Sequence, residues 1–326
     1  MDELKLIKHG FPPTHLVILG PTGTGKTVTV KKVLAELKLP HTYVVAEPSA
    51  YGTLVALGEA VLGSRKWGLS FAPLWAEVDS ALSSPHIIVV DEAEKFLMRD
   101  EKGDHVLYYL SRREATGLIL ISNRLNLLEY IRDSRVKSSF KPMVKIFKPY
   151  TADELYSIIY DRALEALGEE GVRDVSPLKY IAALAAQKGG DARYAIDLLR
   201  ESVKLVFMED CDRITIKHIE KAKGNVEYSY IENSLRALSR AHKLMLIAAL
   251  KSNYVGEAYS KYNQLAPRYA MDQLSERRLR DILGDLELMG FINIRRKGRQ
   301  WYIVPSKWIP SNLEKAIIDE LELTKI

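Results

Sequence analysis

The stretch Gly20-Pro21-Thr22-Gly23-Thr24-Gly25-Lys26-Thr27 matches the phosphate-binding loop pattern G-x-x-x-x-G-K-T at every fixed position. A short apolar run, Leu16–Leu19, precedes it, and residues 28–37 have the spacing of a helix. A strand, a glycine-rich loop and a helix form the local context in which this motif binds phosphate. The stretch therefore predicts an α/β fold with a nucleotide site at the start of its first helix.

Each residue type in the loop has its own chemical use. The glycines let backbone N–H groups turn toward phosphate oxygens, and the start of the helix adds partial positive charge. Lys26 is long enough to reach the outer phosphates, and Thr27 offers a hydroxyl to Mg²⁺. We expect ATP or ADP with Mg²⁺, bound along Pro21, Thr22, Gly23, Thr24, Gly25, Lys26 and Thr27.

An apolar strand at residues 86–92 ends in two carboxylates, Asp91 and Glu92. Magnesium on nucleotide phosphates takes oxygen ligands, so Asp91 is the predicted metal ligand. Glu92 can point the other way, toward an attacking water, and is the predicted general base. The alternative interpretation is an acidic pair stabilised by the dipole at a helix start.

Three polar residues further along the chain are candidates for contacts with the phosphates. Asn123 follows the apolar run Leu118–Ile121, where a neutral amide can hold the attacking water. Arg193 lies in the first turn of a helix that Asp191 caps, where the dipole disfavours a cation unless an anion binds nearby. Arg135 is a candidate arginine finger, which stabilises charge on a transferring phosphate. The alternatives are a turn asparagine and solvated or DNA-facing arginines.

Composition restricts the class of protein. The 326 residues are 47% apolar, yet no uninterrupted apolar stretch approaches the roughly 18–20 residues that cross a bilayer. Cys211 is the only cysteine, which excludes an internal disulfide and a cysteine-based zinc site. We expect a cytoplasmic protein without a membrane partner. Residues 231–310 hold 14 Lys/Arg and 7 Asp/Glu, a balance of +7, so the rest of this +5 chain sums to −2. The asymmetry predicts a polyanion partner for the C-terminal third.

Five short β-like runs alternate with helical or loop segments, which predicts a parallel sheet covered by helices on both faces. They are Leu16–Leu19, Tyr43–Val45, Ile87–Val90, Leu118–Ile121 and Val144–Phe147. Helical periodicity then runs from Thr151 to about Lys223, and Thr151 with Glu154 has the pattern of a capping box. We place the domains at residues 1–149 (α/β), 150–228 (helical) and 229–326.

The third domain has the plan of a winged helix-turn-helix. Helices are predicted at 234–250, 256–265 and 275–289, followed by two strands around Lys297-Gly298. Ser275 is the predicted cap of the recognition helix. Candidate DNA contacts are Arg277, Arg278 and Arg280 on this helix, and Arg295, Arg296, Lys297 and Arg299 on the wing. The alternative is a solvated basic surface on a winged helix that binds protein.

The order of these motifs resembles the AAA+ replication initiators of the origin recognition complex and their archaeal relatives. The most specific elements are Arg135-Val136-Lys137-Ser138-Ser139 and Pro149-Tyr150-Thr151-Ala152-Asp153-Glu154-Leu155. The resemblance implies a P-loop AAA+ domain, a helical lid and a C-terminal winged helix. It also implies that Asn123 is the first sensor, Arg135 the finger and Arg193 the second sensor.

The resemblance further implies a function and partners. These initiators bind double-stranded origin DNA and are thought to load the ring-shaped, MCM-type replicative helicase. For this chain we expect weak ATP hydrolysis that acts as a switch. Other initiator copies or paralogues are implied partners, and the location would be the nucleoid of an archaeal-type cell. An extra DNA-contacting helix of the family corresponds to a stretch that contains Arg65, Lys66 and Trp67, for which a solvated loop is the alternative.

Two other functions remain open from the sequence. A nucleotide-gated signalling or transcription regulator would use the winged helix as a regulatory module. A branch-migration motor shares this size and domain order, although its sensor and finger sequences differ from Ser122-Asn123 and from residues 135–139.

Overall fold

The computed structural model describes residues 14–298, 300–306, 309 and 313–323. The chain divides into two compact units, which meet in sequence between Ala222 and Lys223. Among the described residues, no helix combines the length and the apolar character needed to traverse a bilayer.

The first unit is built on a parallel sheet of five strands in the order β2-β3-β4-β1-β5. The strands are β1 (Leu16–Leu19), β2 (His41–Val45), β3 (His86–Asp91), β4 (Thr116–Ser122) and β5 (Met143–Ile146). Strands β3 and β4 are buried along their whole length, which explains why they appear in the sequence as continuous apolar runs. The predicted parallel sheet is confirmed.

Helices cover both faces of this sheet. They are α1 (Lys26–Leu37), α2 (Ala50–Leu62), α3 (Phe71–Ala81), α4 (Glu94–Arg99), α5 (Gly103–Leu110) and α6 (Ser134–Ser139). Alternate strand residues point to opposite faces. Ile18 packs in one core cluster with Leu34 of α1, whereas Val17 packs in the other with Leu54 of α2. Each face of the sheet is therefore covered by its own apolar core cluster.

The register brings the predicted polar residues to one edge of the sheet. Leu19 pairs with Ser122, and Val90 pairs with Leu120, so β1, β3 and β4 end side by side. The phosphate loop follows β1, the acidic pair lies at the end of β3, and Asn123 follows β4. Ligands of open α/β sheets bind at this carboxyl edge.

A helical lid completes the first unit. It contains α7 (Ala152–Gly171), α8 (Ser176–Gln187), α9 (Ala192–Met208) and the start of α10 (Ile216–Ala237). The predicted capping box of α7 is present: Thr151 Oγ1 accepts from Glu154 N, and Glu154 Oε2 accepts from Thr151 N. The predicted boundary between residues 228 and 229 lies inside α10.

The second unit has the predicted winged-helix plan. It contains α11 (Arg240–Leu250), α12 (Val255–Leu265), α13 (Glu276–Leu288), β6 (Ile292–Lys297), β7 (Gln300–Pro305) and α14 (Leu313–Leu323). Strands β6 and β7 form an antiparallel hairpin. The turn between them includes Gly298, whose φ of +65° suits glycine.

The single helix predicted at 234–250 is wrong. The chain leaves α10 after Ala237 and starts α11 at Arg240. Ser239 causes the break because its side chain accepts a hydrogen bond from His242 N, which caps a new helix. Apolar spacing continues across this cap, so periodicity alone does not detect it.

Candidate functional site

Lys26 is the centre of the candidate nucleotide site. Its Nζ donates to Gly20 O (2.7 Å), to Pro21 O (2.6 Å) and to Asn123 Oδ1 (2.9 Å). The side chain is buried, and this burial lowers the pKa of Lys26. Asp91 and Glu94 act in the opposite direction, and Arg193 adds to the lowering. Lys26, Asn123 and Arg193, the predicted loop lysine and the two sensor candidates, therefore lie close enough to interact with one another.

The loop around Lys26 depends on glycine geometry. Gly23 has φ +72° and Gly25 has φ +79°, in the left-handed region. Gly25 is the N-cap of α1, so the N–H groups of the first turn face the loop. Thr24 is buried and donates to Pro21 O at 2.9 Å, whereas Thr22 is exposed. This cradle has the form expected for phosphate.

Two hydroxyl groups hold the carboxylate of Asp91. Thr27 Oγ1 and Tyr43 Oη each donate to Asp91 Oδ2 at 2.6 Å. The Asp91 Oδ1 atom accepts from Glu92 N at 2.8 Å. A hydroxyl and a carboxylate in contact form an oxygen donor set that suits Mg²⁺. The pKa of Tyr43 is raised by burial and by its bond to Asp91.

Glu92 occupies a strained backbone position next to this pair. Its φ is +55°, which is unfavourable for a residue with a β-carbon. Lys95 Nζ lies 2.5 Å from Glu92 Oε2, so a cation holds the candidate general base. The neighbouring Glu94 accepts from Asn123 Nδ2 at 3.3 Å, and its Oε2 is buried without a partner among the described residues.

The lid reaches the phosphate loop through the first turn of α9. Ala192 N donates to Gly23 O at 3.2 Å, which joins lid and loop directly. Asp191 caps α9 by accepting from Arg193 N and Tyr194 N, as predicted. Arg193 is exposed at the start of this helix. A cation therefore stands where the helix dipole alone would disfavour it.

Arg135 is held on the surface of the first unit. Its guanidinium pairs with Asp133 at 2.8 Å and lies 5.1 Å from the centre of the Tyr108 ring. The bonds from Arg135 lower the pKa of Asp133 to about 2. These contacts orient the exposed guanidinium of Arg135.

The positive charges of Arg65 and Lys66, next to Trp67, are largely balanced by neighbouring carboxylates. Arg65 pairs with Glu59 (3.3 Å) and Glu47 (3.6 Å), and Lys66 pairs with Glu77 (3.8 Å). The Arg65 guanidinium also lies 4.9 Å from the Trp67 ring, which remains 67% exposed. Of Arg65, Lys66 and Trp67, the exposed Trp67 ring is therefore the most accessible to DNA.

The basic residues of the second unit lie on its surface. Ser275 caps α13 by accepting from Arg278 N, as predicted, and Arg277 and Arg278 are exposed in the first turn. On the hairpin Arg295, Arg296 and Lys297 are also exposed. Arg299 lies outside the described residues. Arg280 is exposed as well and lies near Tyr259 of α12.

Sequence reasoning missed Tyr43 and Lys95. Tyr43 comes from a different strand, and only the β2–β3 register brings it to Asp91. Lys95 follows Glu92 by three residues, a spacing that supports an ion pair in a helix. That spacing was the one available signal.

Comparisons with known proteins agree with this geometry. Family models match for an "AAA domain" (residues 9–131), a "Cdc6 AAA+ ATPase-type lid domain" (156–224) and a "CDC6, C terminal winged helix domain" (233–303). The ORC1-type DNA replication protein of Methanothermobacter thermautotrophicus is 36% identical, over 95% of this chain and 87% of the relative. The corresponding protein of Desulfurococcus amylolyticus is 33% identical, over 89% and 80%.

A solved structure extends the match to three dimensions. The Aeropyrum pernix ORC1 protein in complex with DNA superposes with a TM-score of 0.82 at 27% identity, covering 98% of this chain and 90% of that chain. The resemblance inferred from the sequence is thereby confirmed. With an AAA+ domain, a lid and a winged helix in this order, the chain belongs to the ORC1/Cdc6 family of archaeal origin-recognition AAA+ proteins.

Proposed function

We propose that this chain is an ATP-controlled initiator of DNA replication. The observation that carries the proposal is the meeting of three elements at one point. Lys26 Nζ donates a hydrogen bond to Asn123 Oδ1, at the end of β4, and the Gly23 carbonyl accepts one from the N–H of Ala192 in the lid. A nucleotide in this crevice would contact the phosphate loop, the end of β4 and the lid at the same time. The presence or absence of the γ-phosphate would therefore affect the position of the lid.

The residues fit ATP or ADP with Mg²⁺. Lys26 would neutralise the outer phosphates, and Thr27 with Asp91 would hold the metal. Magnesium, when bound, supplies charge neutralisation on the phosphate oxygens. Glu92 would orient and deprotonate the water, with Asn123 and Arg193 near the reacting phosphate. Because Lys95 occupies the Glu92 carboxylate, slow hydrolysis suited to a switch is expected.

The charge distribution supports double-stranded origin DNA as the polyanion. Arginines lie at the start of α13 and on the hairpin, which are the groove- and backbone-contacting parts of winged helices. The related Aeropyrum pernix ORC1 protein was solved in complex with DNA. We propose that residues 229–326 bind DNA and that Arg65, Lys66 and Trp67 add a second contact. Residues 1–149 would form the ATPase domain, and residues 150–228 the lid domain.

We base the remaining proposed partners on the resemblance to the family. We propose that the DNA-bound initiator helps to load an MCM-type helicase at the nucleoid. Arg135, held outward by Asp133, would contact the nucleotide of another initiator copy or paralogue.

The test combines nucleotide binding with mapping of DNA sites. Lys26→Ala should abolish ATP binding in calorimetry, whereas Lys32→Ala, an exposed change on the same helix, should not. Chromatin binding mapped across the genome should concentrate at replication start sites. Binding spread over promoters instead would favour a transcription regulator and contradict the proposal.

A further inference from the structure

The second unit contains a cavity that the nucleotide site and the phosphate contacts leave unexplained. It has a volume of about 560 Å³ and opens between α12, α13 and the β6–β7 hairpin. Its wall includes Tyr259, Arg280, Gly284, Glu287 and Trp301. The three α13 residues are spaced so that they lie on one face of the helix. This volume is within the range of sites that bind small molecules.

Gly284 contributes no side chain to the wall of this cavity. It lies in the interior of α13, where glycine is unfavourable relative to alanine. A β-carbon at this position would meet no heavy atom within 4 Å. Neither a turn nor close packing therefore requires glycine here. The missing side chain leaves additional room in the cavity.

The wall combines flat aromatic faces with fixed polar groups. Trp301 is 50% exposed, and the Arg296 guanidinium lies 5.6 Å from the centre of its ring. Arg280 lies near Tyr259 in this wall, and its guanidinium N–H groups can donate to a ligand. Glu287 Oε1 accepts from Ile294 N at 2.6 Å, which orients the carboxylate. The cavity thus offers a stacking face, a donor and an acceptor.

We propose that this cavity binds an unstacked guanine base. Guanine presents two adjacent acceptors, O6 and N7, which match an arginine, and two adjacent donors, which match a carboxylate. Its planar ring would stack on Trp301, as bases do on aromatic side chains of single-strand binding sites. The exposed cations of the hairpin make DNA the source of the base. The assignment of DNA as the source of the base rests on the proposed DNA-binding function, whereas the binding of guanine in the cavity does not.

The test uses the full chain and duplexes that carry one unpaired nucleotide. Fluorescence anisotropy should show about tenfold tighter binding of a duplex with a bulged dG than of one with a bulged dA, dC or dT. Gly284→Leu, which fills the cavity, and Trp301→Ala, which removes the stacking face, should abolish this preference. Gly224→Leu is the matched control, since Gly224 likewise lies inside a helix with open space at its β-carbon position.

Three further measurements separate the outcomes. Glu287→Gln keeps the shape of the side chain and removes the charge, so it should also lose the dG preference if Gly284→Leu does not fold. Affinity for the fully paired duplex reports on DNA binding alone, and competition by guanosine monophosphate would identify a free nucleotide as the source. Equal affinity for all four bulges without competition, or a dG preference that survives in Gly284→Leu, would overturn the proposal.

Discussion

The carboxylate of Asp191 fills the space beside Gly23 in which any other residue would place its side chain. A β-carbon on Gly23 would stand 1.8 Å from Asp191 Oδ1, far inside van der Waals contact. The neighbouring Ala192 donates its N–H to the Gly23 carbonyl at 3.2 Å. The first turn of α9 therefore rests directly on the phosphate loop. Glycine at position 23 is a requirement of the lid as well as of the loop.

Replacing Gly23 by alanine should separate the lid from the loop. The added methyl group collides with Asp191, and the φ of +72° strains any non-glycine residue by about 1–3 kcal/mol. We expect ATP affinity to fall at least tenfold, measured with a fluorescent nucleotide. Gly189→Ala is the matched control, because Gly189 has φ +91° with open space around it. Equal losses in both variants would show that backbone strain alone is responsible.

Glu92→Gln should trap bound ATP. The amide keeps the size of the side chain but no longer accepts a proton, so hydrolysis should slow by about 10²–10⁴-fold while ATP affinity is retained. Single-turnover hydrolysis and equilibrium binding measure the two quantities separately. Glu101→Gln, an exposed change beyond α4, is the control. Hydrolysis at the parent rate in Glu92→Gln would exclude Glu92 as the base.

Tyr43→Phe should weaken the metal site without removing a metal ligand. The change deletes the hydroxyl that donates to Asp91 at 2.6 Å, a bond to a charged group worth about 1.5–3 kcal/mol. We expect the Mg²⁺ concentration needed for half-maximal ATP binding to rise several-fold. Tyr51→Phe is the matched control, because it removes a tyrosine hydroxyl that donates to Leu69 O at 2.8 Å and not to Asp91. The same Mg²⁺ dependence in both variants would rule out a positioning role for Tyr43.

His86 should make the first unit less stable in mild acid. Burial, with help from Arg113 and His41, lowers the pKa of His86 from 6.5 to about 4. The unfolded chain therefore binds an extra proton between pH 6.5 and pH 4, so the free energy of unfolding decreases as the pH falls through this window. The difference corresponds to about 3 kcal/mol. The stabilisation is fully present above pH 6.5.

Urea unfolding of the parent and of His86→Gln across this window measures the effect. The variant should show a smaller decrease in stability toward pH 4, because glutamine does not titrate. His105→Gln changes an exposed histidine and should behave like the parent. Parallel curves for the parent and for His86→Gln would contradict the assignment.

The winged helix should give DNA binding a steep salt dependence. About six phosphate contacts correspond to a slope of log K against log salt near −5. Arg277 and Arg278 are exposed in the first turn of α13, so the double alanine variant should make the slope shallower by about 2. Anisotropy titrations across a salt series measure it. Arg173→Ala in the lid should leave the slope unchanged, and an unaltered slope in the double variant would remove this turn from the interface.

Local patterns in the sequence determined the elements and their order. The G-x-x-x-x-G-K-T loop, the apolar strands and the Thr151–Glu154 capping box each depend on residues close together in the chain. Such signals arise from backbone geometry and from the burial of apolar side chains, which act over a few residues. They were sufficient to predict the parallel sheet, the lid and the winged helix.

The tertiary structure alone decided which distant side chains meet. Sheet register brings Tyr43 to Asp91, and lid packing places Asp191 against Gly23. Packing of the second unit leaves a cavity lined by Arg280 and Gly284. Each relationship joins residues from different elements or depends on empty space. The residue types at these positions do not specify such contacts, because their distances are fixed by how strands align and how helices pack.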